Sequence, residues 1–150
     1  MGEQSAIKQD ERVLAGLAHG SILFGPLTNG VGGIVTALVV WLIKRDKSPY
    51  VAFQALQALV YQVATFVLTG LVTCCWTAVW MLMWMPALAA NPEAYQDVPP
   101  AGMWIGLALA IVPIAVWVVT TVYGLIGAAR TLGGHDFEYA VIGKWLKSQG

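Results

Sequence analysis

Few side chains in this sequence have the means to do chemistry. His19 is the one residue inside an apolar stretch that titrates near neutral pH, and histidine serves as proton shuttle, metal ligand or hydrogen-bond partner. No second ligand stands at metal-binding spacing, since His135 is far along the chain and Cys74-Cys75 forms no zinc pattern. The expected role of His19 is therefore a satisfied polar contact to another helix or to the loop around Asn29, with no metal. Gln54, Gln57, Tyr61, Thr65 and Thr69 fall roughly on one helical face, with Gln62 adjacent to it. Such a face either lines a polar groove or pore, or supplies interhelical hydrogen bonds, which average about 0.6 kcal/mol each in membranes.

Catalytic signatures are missing. The chain has no paired intramembrane carboxylates, no nucleophile beside a base, and no phosphate-cradling glycine loop followed by lysine. Gly30-x-Gly32-Gly33 does not follow a strand. A non-enzymatic protein without a cofactor is expected. A proton or cation pump is disfavoured too, because the apolar segments hold no Asp, Glu, Lys or Arg to carry the charge.

The elements that must position these residues are membrane helices. Hydrophobic residues make up 58% and charged residues 11% of the 150, with a mean hydropathy of +0.69, far from a soluble composition. Between Ser48 and Ala129 there is no Lys or Arg, and the only carboxylates are Glu93 and Asp97 in one Pro-containing loop. The net charge of zero gives no support for nucleic-acid binding. Adjacent Cys74 and Cys75 exclude a disulfide framework. Glu3, Asp10 and Glu11 mixed with Lys8 and Arg12 do not make a secretory leader, so the start is read as retained.

A spanning helix needs about 20 apolar residues. Two segments, 50–85 and 102–129, pass this test as spans, and Pro86, Asn91, Pro92, Pro99 and Pro100 mark the loop between them. The segment 13–43, after a polar start at 1–12, is broken at Gly25-Pro26 and Asn29-Gly30, and reads as a hairpin of two short tilted or re-entrant helices, with a single kinked helix as the alternative. Basic residues concentrate in cytoplasmic loops. Placing Lys44, Arg45 and Lys47 inside puts the 86–101 loop outside and returns Arg130 and the 130–150 tail to the cytoplasm. The expected fold is an all-α integral membrane bundle of four membrane segments in one domain, both termini cytoplasmic, in a bacterial inner (plasma) membrane.

Trp76, Trp80 and Trp84 share one helical face, and with Trp41, Tyr50, Trp104 and Trp145 they read as interfacial anchors. Gly16-x-x-x-Gly20 and Gly102-x-x-x-Gly106 allow close backbone approach, here for packing within the bundle. Pro113 should kink the last span and free a carbonyl that needs a partner. Phe137, Val141 and Trp145 at i, i+4 and i+8 predict a cytoplasmic amphipathic helix over 137–147. Ser48 can cap a helix started by Pro49, with Asp46 near its positive end, which makes a rigid inside corner and offers Lys44, Arg45 and Lys47 as a docking surface.

The stretch from Trp41 to Leu59, with Lys44-Arg45-Asp46-Lys47-Ser48-Pro49-Tyr50-Val51, Phe53, Gln54 and Gln57, follows Leu17-Ala18-His19 and Gly25-Pro26. With Gly134-His-Asp-Phe137-Glu-Tyr139-Ala140-Val-Ile142-Gly143 in the tail, it resembles small bacterial membrane proteins related to the twenty-kilodalton Tic component of the chloroplast inner-envelope import machinery. Many members of that family have histidine where this chain has Gln54 and proline where it has Ala140, so no role of that histidine carries over. The resemblance implies four helical membrane segments and, from the plastid relatives, a part in protein translocation. The positions matching its motif are His19, Lys44, Asp46, Ser48, Pro49, Phe53 and Gln57.

Two functions follow as expectations. The first is a non-enzymatic accessory or structural subunit of a membrane complex, with the lipid bilayer and another membrane protein or a second copy as partners. The second is a small homo-oligomeric pore or transporter for a small polar solute, built around Gln54, Gln57 and Tyr61.

Overall fold

A computed structural model describes residues 7–148. Residues 1–6 of the polar start expected over 1–12, and the last two residues of the tail, lie outside the described residues. Among the described residues six α-helices follow in order: α1 Gln9–Gly20, α2 Val31–Lys44, α3 Pro49–Ala90, α4 Ala101–Ala108, α5 Ile111–Leu132 and α6 Ile142–Lys147. Short 3-10 turns at Ser21–Phe24 and Pro92–Tyr95 complete the elements, and no strand occurs among the described residues. The all-helical class thus holds.

Four full spans are not supported. α1 has 12 residues and α2 has 14, about 18 and 21 Å at 1.5 Å per residue, against a hydrocarbon core of about 30 Å. Among the described residues, only Pro49–Ala90 and the Ala101–Leu132 stretch are long and apolar enough to cross a membrane. α3 also runs through Pro86 to Ala90, past the boundary expected at 85. Loss of one N–H does not end a helix that apolar residues continue on both sides.

The chain forms two compact units, Met1–Phe66 with Thr120–Gly150, and Val67–Val119. In the first, the α1–α2 turn is made by Asn29 at φ 50° and Gly30 at φ 91°, a left-handed pair that asparagine and glycine tolerate best. The ring of Phe66 lies against Gly30. The core joins α1, α2 and α3 through Ala18, Ala37, Val40, Val51, Ala55 and Ala58. Four of these six are alanines, whose small side chains let helix backbones approach closely. Gly16 gives room to the Leu132 side chain of α5.

In the second unit, Gly102 of α4 sits against the backbone of Met83, and Gly106 receives the ring of Trp80. The expected Pro113 kink resolves into a break at Leu109–Ala110, after which Pro113 lies in the first turn of α5, where its missing N–H costs nothing. Ala110 N–H bonds Leu107 O, one residue short of a continuing helix, which frees Gly106 O. Trp76 Nε1–H takes that carbonyl at 2.9 Å, and Trp80 Nε1–H donates to Met103 O at 3.0 Å. Two of the tryptophans read as interfacial anchors therefore stitch α3 to α4, with their rings stacked at 5.3 Å.

The amphipathic helix expected over 137–147 is corrected to α6, Ile142–Lys147. Phe137 is buried and not helical, whereas Val141 is 79% and Trp145 54% exposed. The three do not share a face, because the tail backbone is held by side chains of α3.

Candidate functional site

The first unit encloses a polar and aromatic groove that holds the tail. α1 presents His19 at its last turn, on the buried stripe of Ala15, Gly16 and Ala18. α3 contributes Gln54, Gln57 and Tyr61 at i, i+3 and i+7, all on its one buried face. α5 supplies Tyr123 and Gly127, and ends in a turn through Gly133 and Gly134 that releases the tail. Gly134, at φ 76°, packs against the Arg12 guanidinium.

From Asp136 to Ala140 burial alternates: Phe137 and Tyr139 point in, and Asp136, Glu138 and Ala140 point out. The backbone is read by two amides. Gln57 Nε2 donates to Phe137 O at 2.8 Å, and its Oε1 accepts Tyr139 N–H at 3.2 Å. Gln54 Nε2 donates to the same Phe137 O at 3.1 Å, and Gln57 Nε2 also donates to Gln54 Oε1 at 2.7 Å. Gln54 Oε1 can only accept, so His19 Nε2 carries the proton in their 3.0 Å bond. His19 Nδ1 is then the acceptor for the Tyr139 hydroxyl at 3.0 Å, and both ring nitrogens of a neutral imidazole are satisfied.

Aromatic contacts complete the seat. Tyr139 stacks on Tyr61 with centroids 4.0 Å apart and planes 9° apart, and meets Tyr123 edge-on at 5.3 Å. Phe137 meets His19 edge-on at 5.6 Å. A Cβ on Gly127 would lie 2.8 Å from the Phe137 ring, so glycine there leaves space for the aromatic. Beside the groove, Gln62 Nε2 donates to Ala18 O and Ser21 Oγ, and Ser21 Oγ donates to Gly33 O, which ties the α1–α2 hairpin to α3.

Of the residues singled out from sequence, the structure brings together His19, Gln54, Gln57 and Tyr61. His19 contacts α3 and the tail, not the Asn29 loop. Gln54 and Gln57 are 1% and 0% exposed, and their polar atoms are used inside the chain, so the face read as a groove or pore lining is filled by the tail. Phe137, Tyr139 and Tyr123 were not singled out as site residues. Alternation of aromatics two apart, just after Gly133-Gly134, is the signal that marks Phe137 and Tyr139, whereas Tyr123 has no such signal.

Lys44, Arg45, Asp46, Lys47 and Pro49 form a separate corner. Ser48 Oγ accepts Val51 N–H at 3.3 Å and donates to Glu11 Oε1 at 2.7 Å, which joins the start of α3 to α1. Arg45 pairs with Asp46 at 3.3 Å and lies over Trp41, while Lys47 is exposed. Phe53 lies below Lys147, whose ammonium is 5.8 Å from the ring centroid and pairs with Glu138. No group of three or more His, Cys, Asp or Glu placed to hold a metal occurs among the described residues.

The Ser48 hydroxyl and the Lys8 backbone N–H hold the Glu11 carboxyl below its ordinary value of 4.5. A carboxylate lowered by folding contributes stability at higher pH that is lost as pH falls through its folded-state value. The α1–corner contact is expected to be intact at neutral pH and to loosen below about pH 4.5. Amide exchange at Val51 against pH checks this, and Glu11→Gln should remove the acid limb. An acid limb that persists in Glu11→Gln would assign it to another group.

Compared with known proteins, residues 10–146 match the MamF/MmsF family model, described as the magnetosome magnetite crystal formation protein family. No curated protein and no solved structure matches the chain. The family match overturns the resemblance to Tic-related proteins, because one model of a different family accounts for both the Trp41–Leu59 stretch and the tail motif. The expectation of a role in protein translocation falls with it.

Proposed function

The chain belongs to the magnetosome magnetite crystal formation protein family, and from that membership we propose that it is a non-enzymatic integral protein of a bacterial magnetosome membrane, with a structural or accessory part in forming the magnetite crystal. The family match over residues 10–146 carries the reading. Membrane placement is supported by two stretches long and apolar enough to cross, whose Leu71, Leu82, Ile105, Ile111 and Val119 side chains are exposed. In water such surfaces would be a liability; in lipid they are the normal state.

The two long stretches each cross once in this proposal. All eight Lys and Arg residues then face the cytoplasm, and the Asn91–Pro100 loop, with Glu93 and Asp97, faces the compartment where mineral grows. The α1–α2 hairpin enters the bilayer without crossing it. Partners are the lipid bilayer and another protein of that membrane or a second copy.

Deleting the gene in a magnetite-forming host and restoring it on a plasmid tests this. Crystals altered in size or habit are expected in the deletion strain, and in the restored strain the protein is expected to stay with magnetosome membranes after an alkaline carbonate wash. Unchanged crystals together with carbonate-soluble protein would end the proposal.

A further inference from the structure

We propose that the groove between α1, α3 and α5 is a peptide-recognition site for an extended segment carrying aromatic side chains at i and i+2, and that the chain's own Phe137-Glu138-Tyr139 is its resident, exchangeable ligand. This goes beyond the part in crystal formation and does not depend on it.

The manner of binding carries the inference. Residues 135–139 have no regular structure, and from Asp136 to Ala140 the side chains alternate between solvent and pocket, as in a bound strand. In an extended chain the C=O of one residue and the N–H of the second residue after it point the same way, and Gln57 engages this pair on Phe137 and Tyr139. A side-chain amide thus takes the place of a neighbouring strand, and backbone bonds with pockets for alternate side chains are the mark of extended-peptide recognition.

The pockets set the sequence preference. Tyr61 and Tyr123 receive the second aromatic, and His19 Nδ1 accepts its hydroxyl, which favours tyrosine there. The first aromatic fills the space left by Gly127. Glu138, between them, points outward to Lys147 and adds nothing inside the groove. Because the tail leaves α5 through Gly133 and Gly134, its attachment is a short linker and not a continuing helix. A segment of the same pattern on a partner protein meets all the same groups.

The test uses the full chain with a protease site inserted between Gly133 and Gly134, folded in detergent and then cut. A fluorescent synthetic peptide of residues 135–148 is expected to replace the resident fragment and to bind saturably. A peptide with Phe137→Ala and Tyr139→Ala should bind about 100-fold more weakly or worse, as loss of two buried anchors implies. Equal binding of both peptides, or no binding of the native one to the folded cut chain, would overturn the proposal. If cutting unfolds the protein, the same two peptides are added at millimolar concentration to the uncut chain, since a tethered ligand competes at an effective concentration on that order. Faster exchange of the Tyr139 amide with the native peptide alone supports exchange of the tail; no difference between the peptides refutes it.

Discussion

Tyr139→Ala is expected to lower the stability of the first unit by about 3–5 kcal/mol, the usual cost of removing a buried aromatic ring. The ring is 2% exposed, stacks on Tyr61 at 4.0 Å and touches His19, Tyr123 and Phe137. Its loss also takes the donor from His19 Nδ1. Tyr139→Phe keeps the stack and deletes only the hydroxyl, for which about 1 kcal/mol is the expected cost. Denaturant unfolding in mild detergent separates the two. Equal losses for Ala and Phe would mean that the hydroxyl bond, not the stack, holds the tail.

Gly102→Ala and Gly106→Ala act on the second unit and should each cost about 1–3 kcal/mol, the range for overpacking. A methyl at 102 would fall on the Met83 backbone carbonyl, which cannot rotate away. At 106 it would fall within the Trp80 ring, which must then leave its stack with Trp76 and its bond to Met103 O. Near-ultraviolet circular dichroism reports the Trp76–Trp80 pair directly, and Gly106→Ala should lose that signal most. Gly70 is the control: nothing lies within 4 Å, so Gly70→Ala should be neutral or gain up to about 1 kcal/mol from helix propensity. A Gly106→Ala variant as stable as Gly70→Ala would refute the close-packing account.

Punctuation in the sequence was the most legible level. Gly25-Pro26 with Asn29-Gly30 marked the α1–α2 turn, and Ser48-Pro49 marked the start of α3, because these residues act through local backbone preference. Lengths were less legible. Pro86 read as a stop, yet α3 passes through it, since neighbouring apolar residues outweigh one missing hydrogen bond. The hairpin could be seen but its depth could not, as short apolar helices suit a full crossing or a partial one until their residues are counted.

At the site, polarity was legible and partnership was not. His19, Gln54, Gln57 and Tyr61 stood out as costly groups in an apolar chain, but their partners lie 80 or more residues away in the tail for Gln57, and 120 for His19. The tail was misread for a related reason. Phe137, Val141 and Trp145 fit a helical period, but side-chain amides of α3 offer the backbone of Phe137 and Tyr139 better partners than a helix would. Tertiary bonding overrode the local pattern.

The distance along the chain between the groove and its occupant also sets a schedule. Gln57 leaves the ribosome 80 residues before Phe137, so at about 5–20 residues per second it waits about 4–16 s of synthesis for its partner, and the α5 wall of the groove, with Tyr123 and Gly127, arrives only shortly before the tail. Throughout that interval His19, Gln54 and Gln57 have one another but not the tail groups that complete their bonding. The seat is complete only once Tyr139 has been made, and a chain that ends before it leaves Gln57 Oε1 and His19 Nδ1 without the tail groups that satisfy them.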